Sequence, residues 1–170
     1  CSNMPGLHYR DAEQADLEKI VSIYNSTISS RMVTADTEQV STESRQQWFN
    51  EHSPKKRPLL VIENEHEEII GWVSFQSFYG RPAYDNTSEI SIYLREDQRG
   101  KGLGKEVLDY CIGRAPEFHI KTLLGFIFAH NEPSLRLFRN AGFDEWANLP
   151  NIAVLDGVER SLKILGRRIR

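Results

Sequence analysis

Apolar residues recur along this chain with a period that changes from segment to segment, and each change marks an element. Residues 7–10 read as a short extended stretch. Asp11 then stands where a helix N-cap would, Glu13 falls in the first turn, and Ala15, Ile20, Val21 and Tyr24 recur at roughly helical spacing up to Asn25. Residues 26–39 are polar and irregular, a long loop. Ser41 or Thr42 opens a second helix carrying Trp48 and Phe49, stopped by Ser53-Pro54. Three strand patterns follow: 59–63 and 69–78, joined by the polar residues 64–67, and then 88–94. In the last of these Ile90, Ile92 and Leu94 alternate with Glu89, Ser91 and Tyr93, so its two faces meet different surroundings.

Past residue 98 the pattern changes. Glycines at 100, 102 and 104 lead into a helix with Leu103, Val107, Leu108, Cys111 and Ile112 on one face. Residues 122–128 form a near-continuous apolar run, as in a buried parallel strand. A helix over 133–140 stops at Ala141-Gly142, and two further strands fall near 143–146 and 160–165. The order β-α-α-β-β-β-α-β-α-β-β implies an α/β fold with a mixed sheet and helices on both faces. No repeat or linker divides the chain, so residues 4–170 are expected to form one domain. Cys1-Ser2-Asn3 before Met4 reads as a cloning scar and is left out of the fold reading.

Charge and cysteine content narrow the function. A formal net charge of −3 gives no general attraction for nucleic acid or anionic lipid. Apolar runs such as residues 59–62 are too short to span a bilayer, and no charged-then-apolar leader opens the chain. Two cysteines do not make a disulfide framework and fit a reducing compartment, so a cytoplasmic location is expected. The five histidines show no metal-ligand spacing, and no metal is expected.

Strand, then Arg99-Gly100-Lys101-Gly102-Leu103-Gly104, then helix is a candidate anion cradle. Glycines let the backbone turn tightly with its N–H groups unobstructed, and N–H groups converging at a helix N-terminus suit phosphate oxygens. Arg99, Lys101 and Lys105 add positive charge at the rim. The alternative is a plain glycine-rich turn with solvated cations. Two nucleotide fingerprints fail on detail: the glycines are spaced by two rather than as G-x-G-x-x-G, and Gly104-Lys105 is followed by Glu106 rather than Ser or Thr.

Arg99-x-x-Gly102-x-Gly104 resembles the acetyl-CoA pyrophosphate loop of the GNAT acyltransferase superfamily, and Asn131-Glu132-Pro133-Ser134 with Leu137-Phe138 and Gly142-Phe143 resembles its second signature. Further segments keep register: Ile23-Tyr24-Asn25, Thr34-Ala35-Asp36, Trp48, Pro58, Gly71-Trp72-Val73-Ser74, Arg81-Pro82-Ala83-Tyr84 and Glu89-Ile90-Ser91-Ile92-Tyr93-Leu94. Together they resemble the phosphinothricin and methionine sulfone/sulfoximine N-acetyltransferase branch from about residue 7 to 145, and weakly beyond. The resemblance implies the GNAT fold, acetyl-CoA as acetyl donor, a small amino-acid-like amine as acceptor and a homodimer. It implies that Ile92, Tyr93 and Leu94 pair with the pantetheine arm. The pyrophosphate would sit in the loop Arg99, Gly100, Lys101, Gly102, Leu103, Gly104 and Lys105, and Asn131 and Ser134 would also touch the cofactor.

An amine attacks a thioester only when neutral, so a group must take its proton. Glu89 stands where this branch has its carboxylate base; a solvent-facing strand glutamate is the plain alternative. Backbone N–H groups near Tyr93 or Leu94 would stabilise the negative charge built on the thioester oxygen. Many GNAT enzymes have a tyrosine acid where this chain has Phe138, which leaves water or Tyr93 to protonate the thiolate. Cys111, on an apolar helix face, reads as a structural cysteine rather than a nucleophile. Arg81 and Tyr84, just before the Glu89 strand, are the resemblance's substrate-binding candidates. The rival readings are a protein or peptide N-acetyltransferase and a non-catalytic acyl-CoA sensor.

Overall fold

A computed structural model describes residues 6–169. The scar reading of residues 1–3 lies outside them. Seven strands form one mixed sheet: β1 (His8–Asp11), β2 (Leu59–Glu63), β3 (Ile69–Ser77), β4 (Thr87–Leu94), β5 (Thr122–Phe128), β6 (Asp144–Leu155) and β7 (Val158–Arg168), in the spatial order β1-β2-β3-β4-β5-β7-β6. Four α-helices complete it: α1 (Leu17–Ser26), α2 (Gln46–Asn50), α3 (Leu103–Arg114) and α4 (Glu132–Asn140). The element order is the one the hydrophobic pattern implies.

Strand alternation divides the core in two. On one face Leu60, Ile62, Val73, Phe75 and Ile90 pack with Val107, Leu108 and Cys111 of α3 and Leu135 and Phe138 of α4. On the other, Leu59, Val61 and Trp72 pack with Ile20 and Ile23 of α1, and Trp48 and Phe49 of α2 join them. One strand thus serves two layers because successive side chains point oppositely.

Three local readings are corrected. Asp11 pairs with Leu60 as the last residue of β1 and caps nothing. Helical structure starts later, where the Asp16 carboxylate accepts the Glu13 N–H at 2.7 Å and pairs with the Arg10 guanidinium at 2.8 and 3.0 Å. The last two strands are longer than expected and form a hairpin around Asp156 (φ 52°) and Gly157 (φ 77°). Left-handed values at both positions are what a tight two-residue hairpin requires, and Asp-Gly supplies them readily. β6 is exposed along most of its length, so no apolar alternation records it in the sequence.

Candidate active site

The central parallel pair separates. β4 and β5 are in register only at Thr87, Ser88 and Glu89 opposite Thr122, Leu123 and Leu124. Beyond that, β4 stays bonded to β3 as far as Leu94, while Gly125 to Phe128 of β5 pair with β7. The V between them opens a cleft of about 500 Å³. Its walls include Ile92, Tyr93 and Leu94 on one side and Gly125 to Phe128 on the other, and its mouth includes Arg99, Gly100, Gly102, Leu103 and Gly104. The β4 backbone on the cleft side has lost its neighbouring strand, and such N–H and C=O groups need partners.

At the mouth, Gly100 and Gly102 both adopt φ +77°, and a Cβ on either would meet open space. Packing therefore does not demand these glycines; the left-handed backbone does. Gly102 is the N-cap of α3 and has no side chain to cap it. The first-turn amides of α3, which no α-helix satisfies internally, are free to bind an anion at the mouth of the cleft. A phosphate-type anion fits this cradle. Ser134 and Asn131 also line the cleft. The Asn131 side chain is already engaged: Oδ1 accepts the Ser134 N–H at 3.3 Å and Nδ2 donates to the Met32 carbonyl at 3.1 Å. Lys101 and Lys105 are not cleft residues; the Lys105 ammonium bonds Asp109 at 2.8 Å on the exposed side of α3.

A second cavity of about 340 Å³ lies under α1 and α2 on the opposite face of the sheet. Its apolar walls are aromatic, with Trp48 and Trp72 edge to face at 5.4 Å and Trp72 stacked on Tyr93 at 4.6 Å. Four of its polar groups, Tyr24, Thr34, Asp36 and Arg45, are tied to one another. The Tyr24 hydroxyl bonds Thr34 and Asp36, and Arg45 pairs with Asp36 at 2.8 Å while its guanidinium lies 5.2 Å from the centre of the Tyr24 ring. Ser91 and Tyr93 line both cavities, so the two meet through β4.

The sequence model of the Acetyltransferase (GNAT) family matches residues 19–143. The chain belongs to this family. It is 53% identical over 160 residues to the Bacillus subtilis protein named "Putative phosphinothricin acetyltransferase YwnH", covering 94% of this chain and 98% of that one. It is 32% identical over 143 residues to an L-methionine sulfoximine/L-methionine sulfone acetyltransferase of Pseudomonas aeruginosa, covering 84% and 83%. A crystal structure of a GNAT superfamily phosphinothricin acetyltransferase from Sinorhizobium meliloti in complex with AcCoA is 26% identical, with a TM-score of 0.88 over 96% of this chain and 89% of that one. The protein is a GNAT N-acetyltransferase whose relatives are of the phosphinothricin and methionine sulfoximine type.

In this acetyltransferase Glu89 sits at the last paired position before the strands part, on the same β4 face as Ser91 and Tyr93. It lines neither cavity itself, but it is opposite Gln76, which lines the second. Burial, with no cation to offset it, pushes its carboxyl above the usual range. Burial also raises the Tyr93 phenol well above its ordinary value, so Tyr93 stays protonated. Cys111 is fully buried with its thiol pushed far up, an inert core residue. Phe138 packs against Gly125, where a Cβ would come within 2.7 Å of its ring.

Arg81 and Tyr84 lie elsewhere, on an exposed surface loop beside Tyr79, and neither lines the second cavity. Of the polar residues that do line it, Tyr24, Thr34, Asp36, Ser74 and Ser91 stand in segments of the resemblance without an assigned role, and Arg45 and Gln76 stand in none. One signal was available: Trp72, Ser74 and Gln76 share a period of two along β3, an unusually polar face for a central strand. Among the described residues no group of three or more potential ligands could hold a metal, and no helix is long and apolar enough to cross a membrane.

Proposed function

We propose that this acetyltransferase holds acetyl-CoA in the cleft between β4 and β5 and transfers the acetyl group to the primary amine of a small amino-acid-like acceptor in the second cavity. The acceptor would be of the phosphinothricin or methionine sulfone type, and the transfer a direct attack within a ternary complex. One observation carries the reading: the two cavities share Ser91 and Tyr93, so ligands filling both have their ends on the same stretch of β4. The relatives' names supply the acceptor class.

Acetyl-CoA supplies a thioester carbonyl that the amine nitrogen attacks; the C–N bond forms and the C–S bond breaks. Glu89 takes one proton from the amine, directly or through water, and a carboxyl raised by burial is a better proton acceptor than an exposed one. Tyr93 or water gives a proton to the departing thiolate, and the second amine proton restores that donor. Of the Tyr93 and Leu94 backbone N–H groups, that of Leu94 lies on the β4 edge that the splay leaves without a strand partner, the Tyr93 N–H facing β3, and it is the one that stabilises charge on the thioester oxygen. Arg99 and the Gly100 to Gly104 backbone hold the pyrophosphate, and Ser134 contacts the cofactor arm while Asn131 fixes the wall beside it. A homodimer and a cytoplasmic location belong to the same reading.

Thiol release from acetyl-CoA, measured over a panel of L-methionine sulfone, phosphinothricin, the free amino acids and short peptides, tests it. Turnover on small amino-acid-like amines with both substrates bound before release is expected. Turnover on peptides alone would make the protein a peptide acetyltransferase, and acetyl-CoA binding with no turnover would make it a sensor.

A further inference from the structure

His52 follows α2 and reaches two groups at once. Its Nδ1 lies 2.8 Å from the Trp48 carbonyl and its Nε2 lies 2.6 Å from the Ser74 hydroxyl. A carbonyl oxygen only accepts, so Nδ1 carries the proton. Burial pushes the imidazole below the ordinary histidine range, with the Trp48 and Phe49 backbone and Glu51 offsetting part of that, so the ring is neutral. Nε2 of a neutral ring protonated on Nδ1 has only a lone pair to offer. The Ser74 hydroxyl must therefore donate to it, and what Ser74 retains for the cavity is acceptor capacity alone.

Ser74 is where that polarity matters. It is buried, lines the second cavity, and stands directly opposite Ser91, the residue at which the two cavities meet. Directly opposite residues on one face of an antiparallel pair have Cβ atoms about 5 Å apart. Glu89 is diagonal to Ser74 on the same face, beside Gln76. An oxygen at this point that can only accept selects for an N–H donor.

We propose that Ser74 accepts a hydrogen bond from the acceptor's amine and orients its lone pair toward the thioester, and that His52 is a positioning residue that fixes the direction of the Ser74 hydroxyl. The pair explains how a neutral hydroxyl discriminates: with the hydroxyl free to rotate, Ser74 would serve N–H donors and carbonyl acceptors alike. This inference rests on the second cavity being the acceptor site.

The test is steady-state kinetics with L-methionine sulfone and acetyl-CoA for wild type, Ser74→Ala, His52→Phe, His52→Gln and the Ser74→Ala/His52→Phe double variant. Losing one hydrogen bond to a charged or charge-developing amine raises the acceptor KM about tenfold in Ser74→Ala, and losing only the fixed direction of the hydroxyl raises it by a smaller factor, about fivefold, in His52→Phe, with the acetyl-CoA KM unchanged in both. Glutamine can place an oxygen acceptor toward Ser74, so His52→Gln should recover to within about twofold of wild type, and the double variant should be no worse than Ser74→Ala. Independent losses that multiply in the double variant, an equal rise in the acetyl-CoA KM, or no rescue by glutamine would overturn it. Should the variants fold poorly, nitrogen-15 NMR of the wild-type histidine rings decides: a His52 ring protonated on Nε2 refutes the proposal. If wild type acetylates no amine of the panel, the acceptor-site reading fails and this inference with it; if wild type works and the folded variants depart from this pattern, this inference fails alone.

Discussion

The two cavities that meet at Ser91 are made of different material. The cleft between β4 and β5 is largely a backbone site: a strand without its neighbour, two left-handed glycines and the open amides of α3. The cavity under α1 and α2 is a side-chain site, with aromatic walls and polar groups held by defined partners, Tyr24 with Asp36, Arg45 with Asp36, and His52 with Ser74. A backbone site depends on chain geometry and binds what any peptide can bind, an anion and an extended amide chain. A side-chain site is written residue by residue, so a few substitutions can retune it without disturbing the cleft.

The largest expected effect falls between the cavities and breaks neither. Glu89→Gln should lower kcat by about 10²- to 10⁴-fold while leaving acetyl-CoA affinity unchanged by calorimetry. Burial raises the folded-state pKa of Glu89 above its unfolded value, so the fold favours the protonated carboxyl. Stability is therefore lost, and activity gained, as pH climbs from the unfolded value through the folded one. Thermal melts should show Glu89→Gln at least as stable as wild type above that range, with any advantage disappearing below it.

The next effects sharpen the contrast. Gly102→Val places a β-branched residue at φ +77° and should weaken acetyl-CoA binding by at least about tenfold, through left-handed strain of roughly 1–2 kcal/mol and a side chain in the mouth of the cleft. Arg45→Ala removes the cation that holds Asp36 and should raise the acceptor KM about tenfold, with the acetyl-CoA KM unmoved. Arg81→Ala should change either KM by less than about twofold, the usual yield of an exposed surface residue. A large acceptor effect there would mean that this loop reaches the acceptor site of a second copy.

The cleft between β4 and β5 is the more legible of the two in the sequence, for the same physical reason. Gly100 and Gly102 announce a backbone requirement directly, and the alternation of Glu89, Ser91 and Tyr93 with Ile90, Ile92 and Leu94 fixes which face each side chain takes. The cavity under α1 and α2 needs tertiary information: Arg45 reaches Asp36 across 9 residues of chain, and His52 reaches Ser74 across 22. Nothing local in either segment reports those meetings. The resemblance makes Arg81 and Tyr84 substrate-binding candidates, and both lie on an exposed loop outside the cavity under α1 and α2. The long β6–β7 hairpin escaped because its exposed strand leaves no apolar period, although Asp156-Gly157 carried the turn.

The most direct measurement is calorimetric titration of acetyl-CoA into the wild type and Gly102→Val. Saturable one-to-one binding per chain in the wild type, weakened at least about tenfold in the variant, is what a glycine-built phosphate cradle requires. No heat with the wild type, or equal affinity in the two proteins, would contradict it.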